Sequence, residues 1–235
     1  MTNLPWLDES LEFPSPETAL IEPDGLLAAG GDLSTKRLIE AYKQGIFPWY
    51  SDDQPILWWS PDPRCVLKPE QAYTSKSLKK HIRKTKPQLT FDSAFEDVIH
   101  HCTRLNSNEG TWITKEMEEA YIELHQQGIA HSVEVWENNE LIGGLYGLAI
   151  GRCFFGESMF SLKPNSSKVA FTSLCAQLHQ WDYSLVDCQV ENPHLLSLGA
   201  NCIGRTDFLT ILRNNINRKP RQHKWHFDLL DKQVN

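Results

Sequence analysis

The sequence has no long apolar run, no paired-cysteine motif and no overall positive charge. No stretch approaches the roughly 18 apolar residues that a membrane helix needs. The first residues lack the basic and apolar blocks of a secretory signal, so we expect a cytoplasmic protein that does not associate with membranes. A net charge of −7 over 235 residues argues against a protein that coats nucleic acid without selectivity.

The cysteines and histidines also lack the spacing of a metal site. The six cysteines are scattered, and no two form a Cys-x-x-Cys pair. In an intracellular chain this pattern predicts free, mostly buried thiols rather than a disulfide framework or a zinc site. The nine histidines are equally dispersed, and His223 and His226 have no companion ligands. We therefore predict no bound metal.

Composition divides the chain near Pro61-Asp-Pro63. The residues before this point are rich in proline and glycine and contain one clear helix, capped by Ser34 and ended by Gly45. We predict a small N-terminal α/β domain at 1–62 and a larger domain at 63–235. In the larger domain, periodicity and turn signals predict helices near 76–84, 94–105, 115–126, 168–181 and 206–215, an antiparallel meander at 132–136, 141–150 and 153–160, and a strand at 185–190.

This order of elements predicts an α+β fold with a mixed, largely antiparallel sheet. The larger domain resembles the GNAT acyltransferase architecture, and such a likeness of fold does not by itself assign a reaction.

Three tryptophans, Trp49, Trp58 and Trp59, fall within eleven residues of a proline-rich stretch. Indole is the largest apolar side chain and carries one N–H that needs a partner. Such a cluster suggests a surface groove in which aromatic faces stack on nucleobases. The alternative is a small hydrophobic lid over the main domain.

A second cluster is basic. Lys76, Lys79, Lys80, Arg83 and Lys84 follow the spacing i, i+3, i+4, i+7 and i+8, which places all five on one helix face, hereafter the basic stripe. Like charges four residues apart repel, so the stripe costs helix stability. A partner with regularly spaced negative charge, such as an RNA backbone, would offset that cost. The alternative is an ordinary solvated face.

Two polar patterns in predicted strands are candidates for catalysis or substrate binding. Asp187 and Gln189 lie two residues apart in an apolar strand, so strand alternation predicts one shared face. They either close a structural network or face a substrate cleft, where Asp187 holds or deprotonates an attacking group. In the predicted strand at 153–160, a kink at Gly156 would bring Phe154 and Glu157 towards one cavity. Glu157 is then an anchor for a cationic group, or else a solvated side chain.

Several motifs stand in order along nearly the whole chain and together resemble one family. They are Phe13-Pro-Ser-Pro, Gly25-Leu-Leu-Ala-Ala-Gly-Gly-Asp-Leu33, Gly45-Ile-Phe-Pro-Trp49, Trp58-Trp-Ser-Pro-Asp-Pro-Arg64, Gly110-Thr-Trp-Ile113, Gly156-Glu-Ser-Met-Phe160, Asn165-x-Ser-Lys168, Asp187-Cys-Gln189 and Ser197-Leu-Gly199. The combination closely resembles the bacterial leucyl/phenylalanyl-tRNA–protein transferases.

The resemblance implies a reaction and its partners. Leucine or phenylalanine, and also methionine, would pass from aminoacyl-tRNA to the N-terminal amino group of a protein beginning with Arg or Lys. The modified protein would then be marked for degradation by the N-end rule pathway. The resemblance implies no coenzyme A and no other cofactor, and we expect a monomer.

The resemblance also implies residue roles. Asp187 with Gln189 corresponds to the catalytic pair that orients the amine; whether Asp187 also takes its proton, or the ribose hydroxyl of the tRNA shares that task, stays open. Trp49 and Trp112 would flank the terminal adenosine. Glu157 would lie near the acceptor amine or the basic side chain of the acceptor residue. The basic stripe would contact the tRNA acceptor stem. The aminoacyl pocket would be lined by Leu145, Phe154, Met159, Phe171, Leu174 and Val186.

Leu145 and Leu174 depart from the Met and Phe that are commoner in the family, so the resemblance does not fix the depth of the pocket or the Leu/Phe preference.

Two rival functions remain. An acetyl-CoA-dependent acyltransferase needs a glycine-rich loop whose amides hold the pyrophosphate, and residues 161–168 contain no glycine. A non-catalytic RNA-binding module would use the basic stripe and the tryptophans but not Asp187 or Gln189. Loss of aminoacyl transfer without loss of aminoacyl-tRNA binding on replacing Asp187 would distinguish an enzyme from that module.

Overall fold

The structure is a computed structural model that describes residues 4–105, 113–219 and 225–226. It consists of two β-sheets with helices packed against them. Within these ranges, no helix combines the length and the apolar composition that a membrane crossing requires. The helices are α1 (Thr35–Lys43), α2 (Lys76–Thr85), α3 (Phe95–Leu105), α4 (Lys115–Gln126), α5 (Ser166–Gln180), α6 (Pro193–Ser197) and α7 (Arg205–Asn215).

The smaller sheet belongs to the N-terminal part of the chain. Its strands are β1 (Trp6–Leu7), β2 (Leu26–Gly30), β3 (Phe47–Pro48) and β4 (Leu57–Trp59), in the order β1-β2-β4-β3. Helix α1 connects β2 to β3. The Ser34 hydroxyl accepts a hydrogen bond from the backbone N–H of Arg37, and Gly45 follows the helix with a φ of +77°. The predicted helix and its two end signals are therefore confirmed.

The larger sheet has seven strands in the order β11-β5-β10-β9-β8-β7-β6. The meander β7-β8-β9 is antiparallel, as predicted, and β10 pairs with β9 in parallel and with β5 antiparallel. The protein is thus mixed α and β, and the larger sheet is mixed but largely antiparallel. Its strands are β5 (Arg64–Leu67), β6 (Gln88–Phe91), β7 (Ala130–Glu137), β8 (Glu140–Ile150), β9 (Cys153–Ser161), β10 (Leu185–Gln189) and β11 (Asn201–Ile203).

Strand β5 is an interior strand of this sheet that the sequence did not predict. It lies between β10 and β11, and all four of its residues are buried. A strand buried on both faces shows no alternation of polar and apolar residues, and four residues are too few for any other signal. The neighbouring prolines therefore indicated only a boundary.

Apolar side chains pack on both faces of the larger sheet. Phe155 belongs to a cluster with helices α1, α3, α4 and α7, whereas Phe154 belongs to a cluster with α2 and α5. The first cluster also contains Leu38 and Trp58, so apolar packing is continuous from the smaller sheet to the larger one. The division of the chain after residue 62 stays a prediction.

Candidate active site

A cavity of about 750 Å³ lies where the end of β10 meets β8, β9 and helix α5. The end of β3 and the segment 188–195 complete its walls. Concave, mostly apolar cavities with a few polar groups are the usual ligand sites of proteins. Eight residues predicted for the site line this one: Trp49, Leu145, Phe154, Glu157, Met159, Phe171, Leu174 and Gln189.

One part of the cavity is apolar because of strand register and helix periodicity. Leu145 on β8 is the cross-strand partner of Met159 on β9. Phe171 and Leu174 lie three residues apart on α5 and therefore share a face. Leu145, Phe171 and Leu174 are buried, and Met159 is half-buried. Such walls select an apolar group by its volume and shape.

A β-bulge turns Glu157 towards the same cavity. Tyr146 pairs with Ser158 whereas Gly147 pairs with Gly156, so Glu157 has no residue opposite it on β8. A bulge of this kind redirects side chains. The predicted break in alternation near Gly156 is confirmed.

Glu157 is bonded by three neutral donors. Tyr42 Oη lies 2.7 Å from Oε1, Tyr121 Oη lies 2.9 Å from Oε2, and Gln189 Nε2 donates to Oε1 at 2.8 Å. Burial raises the pKa of Glu157 to about 7, the three hydrogen bonds oppose that rise, and the charge of Asp187 adds to it. The alternative of a solvated Glu157 is wrong.

Asp187 lies behind the cavity wall instead of lining the cavity. Its carboxylate is fully buried and accepts two hydrogen bonds from Arg64, Nε to Oδ1 at 2.8 Å and Nη2 to Oδ2 at 2.7 Å. Oδ1 also accepts the backbone N–H of Gln189 at 3.0 Å. A bidentate contact of this kind fixes both partners. Asp187 therefore anchors the backbone that presents Gln189.

The predicted shared face of Asp187 and Gln189 is wrong. The register of β10 against β5 shifts between these two residues, and Gln189 adopts a left-handed φ of +61°. Alternation of side chains requires regular extended backbone, which the bulge interrupts. Asp187 consequently points to the buried Arg64, and Gln189 points to the cavity.

Three residues of this network were not predicted as site residues. Arg64 and Asp187 are far apart in sequence, and no local pattern links them. Arg64 also donates to the carbonyl of Gly45 at 3.1 Å. Tyr42 and Tyr121 lie at positions that follow the helical periodicity of apolar residues, and their rings belong to the core. Only their hydroxyl groups, which a core position does not require, signal a polar partner.

The tryptophan cluster divides between core and cavity. Trp49 is 43% exposed and lines the cavity. Trp58 is fully buried, and its indole N–H donates to the carbonyl of Gly30 at 2.9 Å. Trp59 donates its indole N–H to the carbonyl of Trp49 at 2.6 Å. The groove interpretation therefore applies to Trp49, while Trp58 is part of the core.

One further residue predicted for the aminoacyl pocket, Val186, is not among those that line the cavity. Val186 is fully buried in the apolar cluster, beside its parallel-strand partner Phe154. Trp112 lies outside the described residues.

The basic stripe occupies the exposed face of α2. Leu78 is buried and Ile82 packs against the core, while all five basic side chains are exposed. Ser75 caps the helix by accepting the N–H of Leu78 at 3.1 Å. Among the described residues, no ion pair involves a stripe residue. The predicted geometry is confirmed, and the phosphate-binding role stays a prediction.

The cysteines are free thiols, and five of the six are buried. The described ranges contain no group of three or more His, Cys, Asp or Glu side chains that could hold a metal ion.

Comparison with known proteins adds a family to this geometry. The family model described as leucyl/phenylalanyl-tRNA protein transferase matches residues 66–213, and the model of its N-terminal domain matches residues 31–62. The leucyl/phenylalanyl-tRNA–protein transferase of Hahella chejuensis is 57% identical over 227 residues, which is 96% of each chain. The corresponding transferase of Pseudomonas fluorescens is 53% identical over 224 residues, 94% of this chain and 99% of the relative.

Likeness to solved structures is weak. L-PGS from Bacillus licheniformis aligns with a TM-score of 0.42 and 9% identity, covering 88% of this chain and 99% of that chain.

The cavity combines an apolar part with a carboxylate–amide wall. Together with these relatives, it defines the class of protein as an aminoacyltransferase. The chain belongs to the leucyl/phenylalanyl-tRNA–protein transferase family, which confirms the resemblance drawn from the motifs. Membership implies an aminoacyl-tRNA substrate and a protein acceptor.

Proposed function

We propose that this chain transfers leucine, phenylalanine or methionine from aminoacyl-tRNA to the N-terminal amino group of proteins that begin with Arg or Lys. The transfer marks those proteins for degradation by the N-end rule pathway. The observation that carries the proposal is a single cavity that combines an apolar part with Glu157 and Gln189.

The apolar part suits the aminoacyl side chain. Leu145, Phe154, Met159, Phe171 and Leu174 offer no polar partner except the weakly accepting sulfur of Met159. Apolar contacts discriminate poorly between side chains of similar volume, so one pocket accepts Leu, Phe and Met. Val186 supports this pocket from the core beside Phe154.

The polar wall suits the attacking amine. An aminoacyl-tRNA ester is already activated, so holding a neutral amine against its carbonyl supplies most of the acceleration. Gln189 donates to Glu157 through Nε2, which leaves its amide oxygen to accept an N–H of the amine. Asp187 acts as a positioning residue that fixes the backbone of Gln189.

Glu157, with a pKa of about 7, is about half ionised near neutral pH, and a cationic group beside it favours the ionised form. It attracts the acceptor amine or the basic side chain of the first acceptor residue. Its three hydrogen bonds come from neutral groups, so its charge is not neutralised by a cation in the wall. An acceptor that begins with an acidic residue brings like charge to the same place and is disfavoured.

The tRNA contacts lie outside this pocket. Trp49, with Trp112, flanks the terminal adenosine, because an exposed indole at a cavity edge offers a stacking face. The basic stripe, Lys76, Lys79, Lys80, Arg83 and Lys84, contacts the phosphates of the acceptor stem.

We also propose that the protein is a cytoplasmic monomer with a small domain at 1–62 and a GNAT-like catalytic domain at 63–235. The order of strands with a parallel β9–β10 pair beside an antiparallel meander supports the GNAT-like description.

One assay tests the proposal. Labelled Phe-tRNA is incubated with a peptide that begins with Arg and with the same peptide beginning with Asp. We expect label to pass to the first peptide only. Equal labelling of both peptides contradicts the acceptor specificity, and labelling of neither contradicts the function.

A further inference from the structure

Trp225 contacts the wall of the cavity from behind. It is 5% exposed and lies with its ring 5.8 Å from that of Phe154, which lines the cavity. Its ring is also 5.0 Å from that of Trp181. An indole buried among aromatic rings excludes a large volume, and close-packed interiors transmit any change in that volume to their neighbours.

The ring of Phe154 is confined from two directions. A Cβ added at Gly147 on β8 would lie 2.7 Å from Phe154 Cζ, so this ring fills the space that the glycine leaves. Trp225 contacts the same ring from the C-terminal part of the chain. With Gly147 and Trp225 both in place, Phe154 has little room to retreat from the cavity.

Trp225 is itself held in place. Its ring stacks on His131 with centroids 4.0 Å apart and planes within 7°. His131 Nδ1 lies 2.8 Å from Asp92 Oδ2, which fixes the orientation of the imidazole. A residue with fixed orientation behind a cavity wall sets the position of that wall.

We propose that Trp225 is a specificity-determining residue that limits the depth of the aminoacyl pocket by holding Phe154 forward. The inference rests on the proposed function, in which Phe154 lines that pocket. Trp225 does not touch the substrate and acts through Phe154. A smaller side chain at 225 lets Phe154 swing back, and the pocket then admits aminoacyl groups larger than phenylalanine.

The test compares aminoacyl groups of different size on folded variants. Trp225→Ala and the conservative Trp225→Phe are assayed with Leu-tRNA, Phe-tRNA and Trp-tRNA and an Arg-initiated peptide. We expect the ratio of kcat/KM for Trp-tRNA to that for Leu-tRNA to rise about tenfold in the Ala variant. A smaller rise in the same direction is expected for the Phe variant, which keeps the proposal testable if the Ala variant does not fold.

Trp181→Phe is the matched control. Trp181 is an equally buried indole in the same aromatic cluster and is not among the residues that line the cavity. Its variant should keep the parent ratio.

The possible outcomes separate the inference from the function on which it rests. Failure of the parent to transfer Phe to the Arg-initiated peptide contradicts the proposed function. If the parent is active and the Trp225 variants lose activity equally for all three aminoacyl-tRNAs, Trp225 is only structural and the inference is overturned. An unchanged ratio overturns it as well.

Discussion

The Arg64–Asp187 pair and the basic stripe of α2 differ in how their charges meet water. The pair is buried, whereas the cations of the stripe are exposed. Both side chains of the pair are fully buried, and the carboxylate accepts two hydrogen bonds from the guanidinium. The stripe presents five exposed cations, and among the described residues none of the five forms an ion pair.

The difference follows from the cost of moving a charge out of water. A buried charge is tolerated only when it is paired and hydrogen-bonded, so the pair is committed to internal structure. Exposed cations keep their hydration and remain available to a partner. The pair therefore positions the site, and the stripe is suited to bind something else.

The largest expected effect comes from breaking the pair. Asp187→Leu leaves Arg64 buried without its counter-charge, and we expect the free energy of unfolding to fall by about 3–5 kcal/mol. Urea denaturation measures this change.

A double variant sharpens this test. Arg64→Met with Asp187→Leu removes both charges and should recover most of the lost stability. Transfer should not recover, because the N–H of Gln189 still lacks its acceptor. A double variant no more stable than Asp187→Leu would show that the pair does not account for the loss.

Glu157 is an intermediate case, because it is partly buried and bonded only by neutral groups. Its pKa of about 7 in the folded protein lies above the ordinary value of 4.5, so the folded state holds this proton more tightly than the unfolded state. The resulting stabilisation is full below pH 4.5 and is lost as the pH rises through 7. Between pH 4.5 and 8 the parent should lose about 1–3 kcal/mol of stability relative to Glu157→Gln.

Urea denaturation at several pH values measures that difference. Glu70→Gln makes the same chemical change at an exposed position and provides the baseline. Parallel pH curves for the parent and Glu157→Gln would show that burial does not raise the pKa of this carboxyl.

The stripe should matter for binding. Replacing Lys79, Lys80 and Arg83 by Ala should raise KM for aminoacyl-tRNA on the order of tenfold at moderate salt and flatten its salt dependence, because fewer counterions are released. A control with Lys36, Lys115 and Arg213 replaced by Ala removes the same charge from other exposed positions. An equal effect of the two triple variants would mean that net charge, and not the stripe, is responsible.

The smallest expected effect is that of the stripe variant on the free energy of unfolding. Removing Lys79, Lys80 and Arg83 relieves repulsion worth only a few tenths of a kcal/mol per pair, so the free energy of unfolding should change by less than about 1 kcal/mol. A loss comparable with that of Asp187→Leu would remove the contrast between exposed and buried charge.

The sequence predicted the features that follow a regular periodicity. The stripe, the helix after Ser34 and the β7-β8-β9 meander follow regular periodicity, and the structure has all three. Regular periodicity is a local property, so one stretch of sequence is enough to reveal it.

The candidate site was predicted less completely, because much of it depends on irregular backbone and distant contacts. The resemblance to the family selected eight of the residues that line the cavity. It did not reveal that Asp187 pairs with Arg64, since those residues meet only after β5 and β10 align. Alternation also failed at Gln189, where a left-handed residue interrupts the strand.

The central claim is that Gln189, held by the buried pair, presents its side chain to the reacting amine. The most direct test is the single-turnover rate of Phe transfer from saturating Phe-tRNA to an Arg-initiated peptide by Gln189→Ala. Gln88→Ala removes the same amide from an exposed position on β6 and is the control. We expect Gln189→Ala to be slower by about 100-fold with unchanged Phe-tRNA affinity, in the range seen when one positioned polar group is lost from an active site. Transfer by Gln189→Ala at the rate of the control would contradict the account.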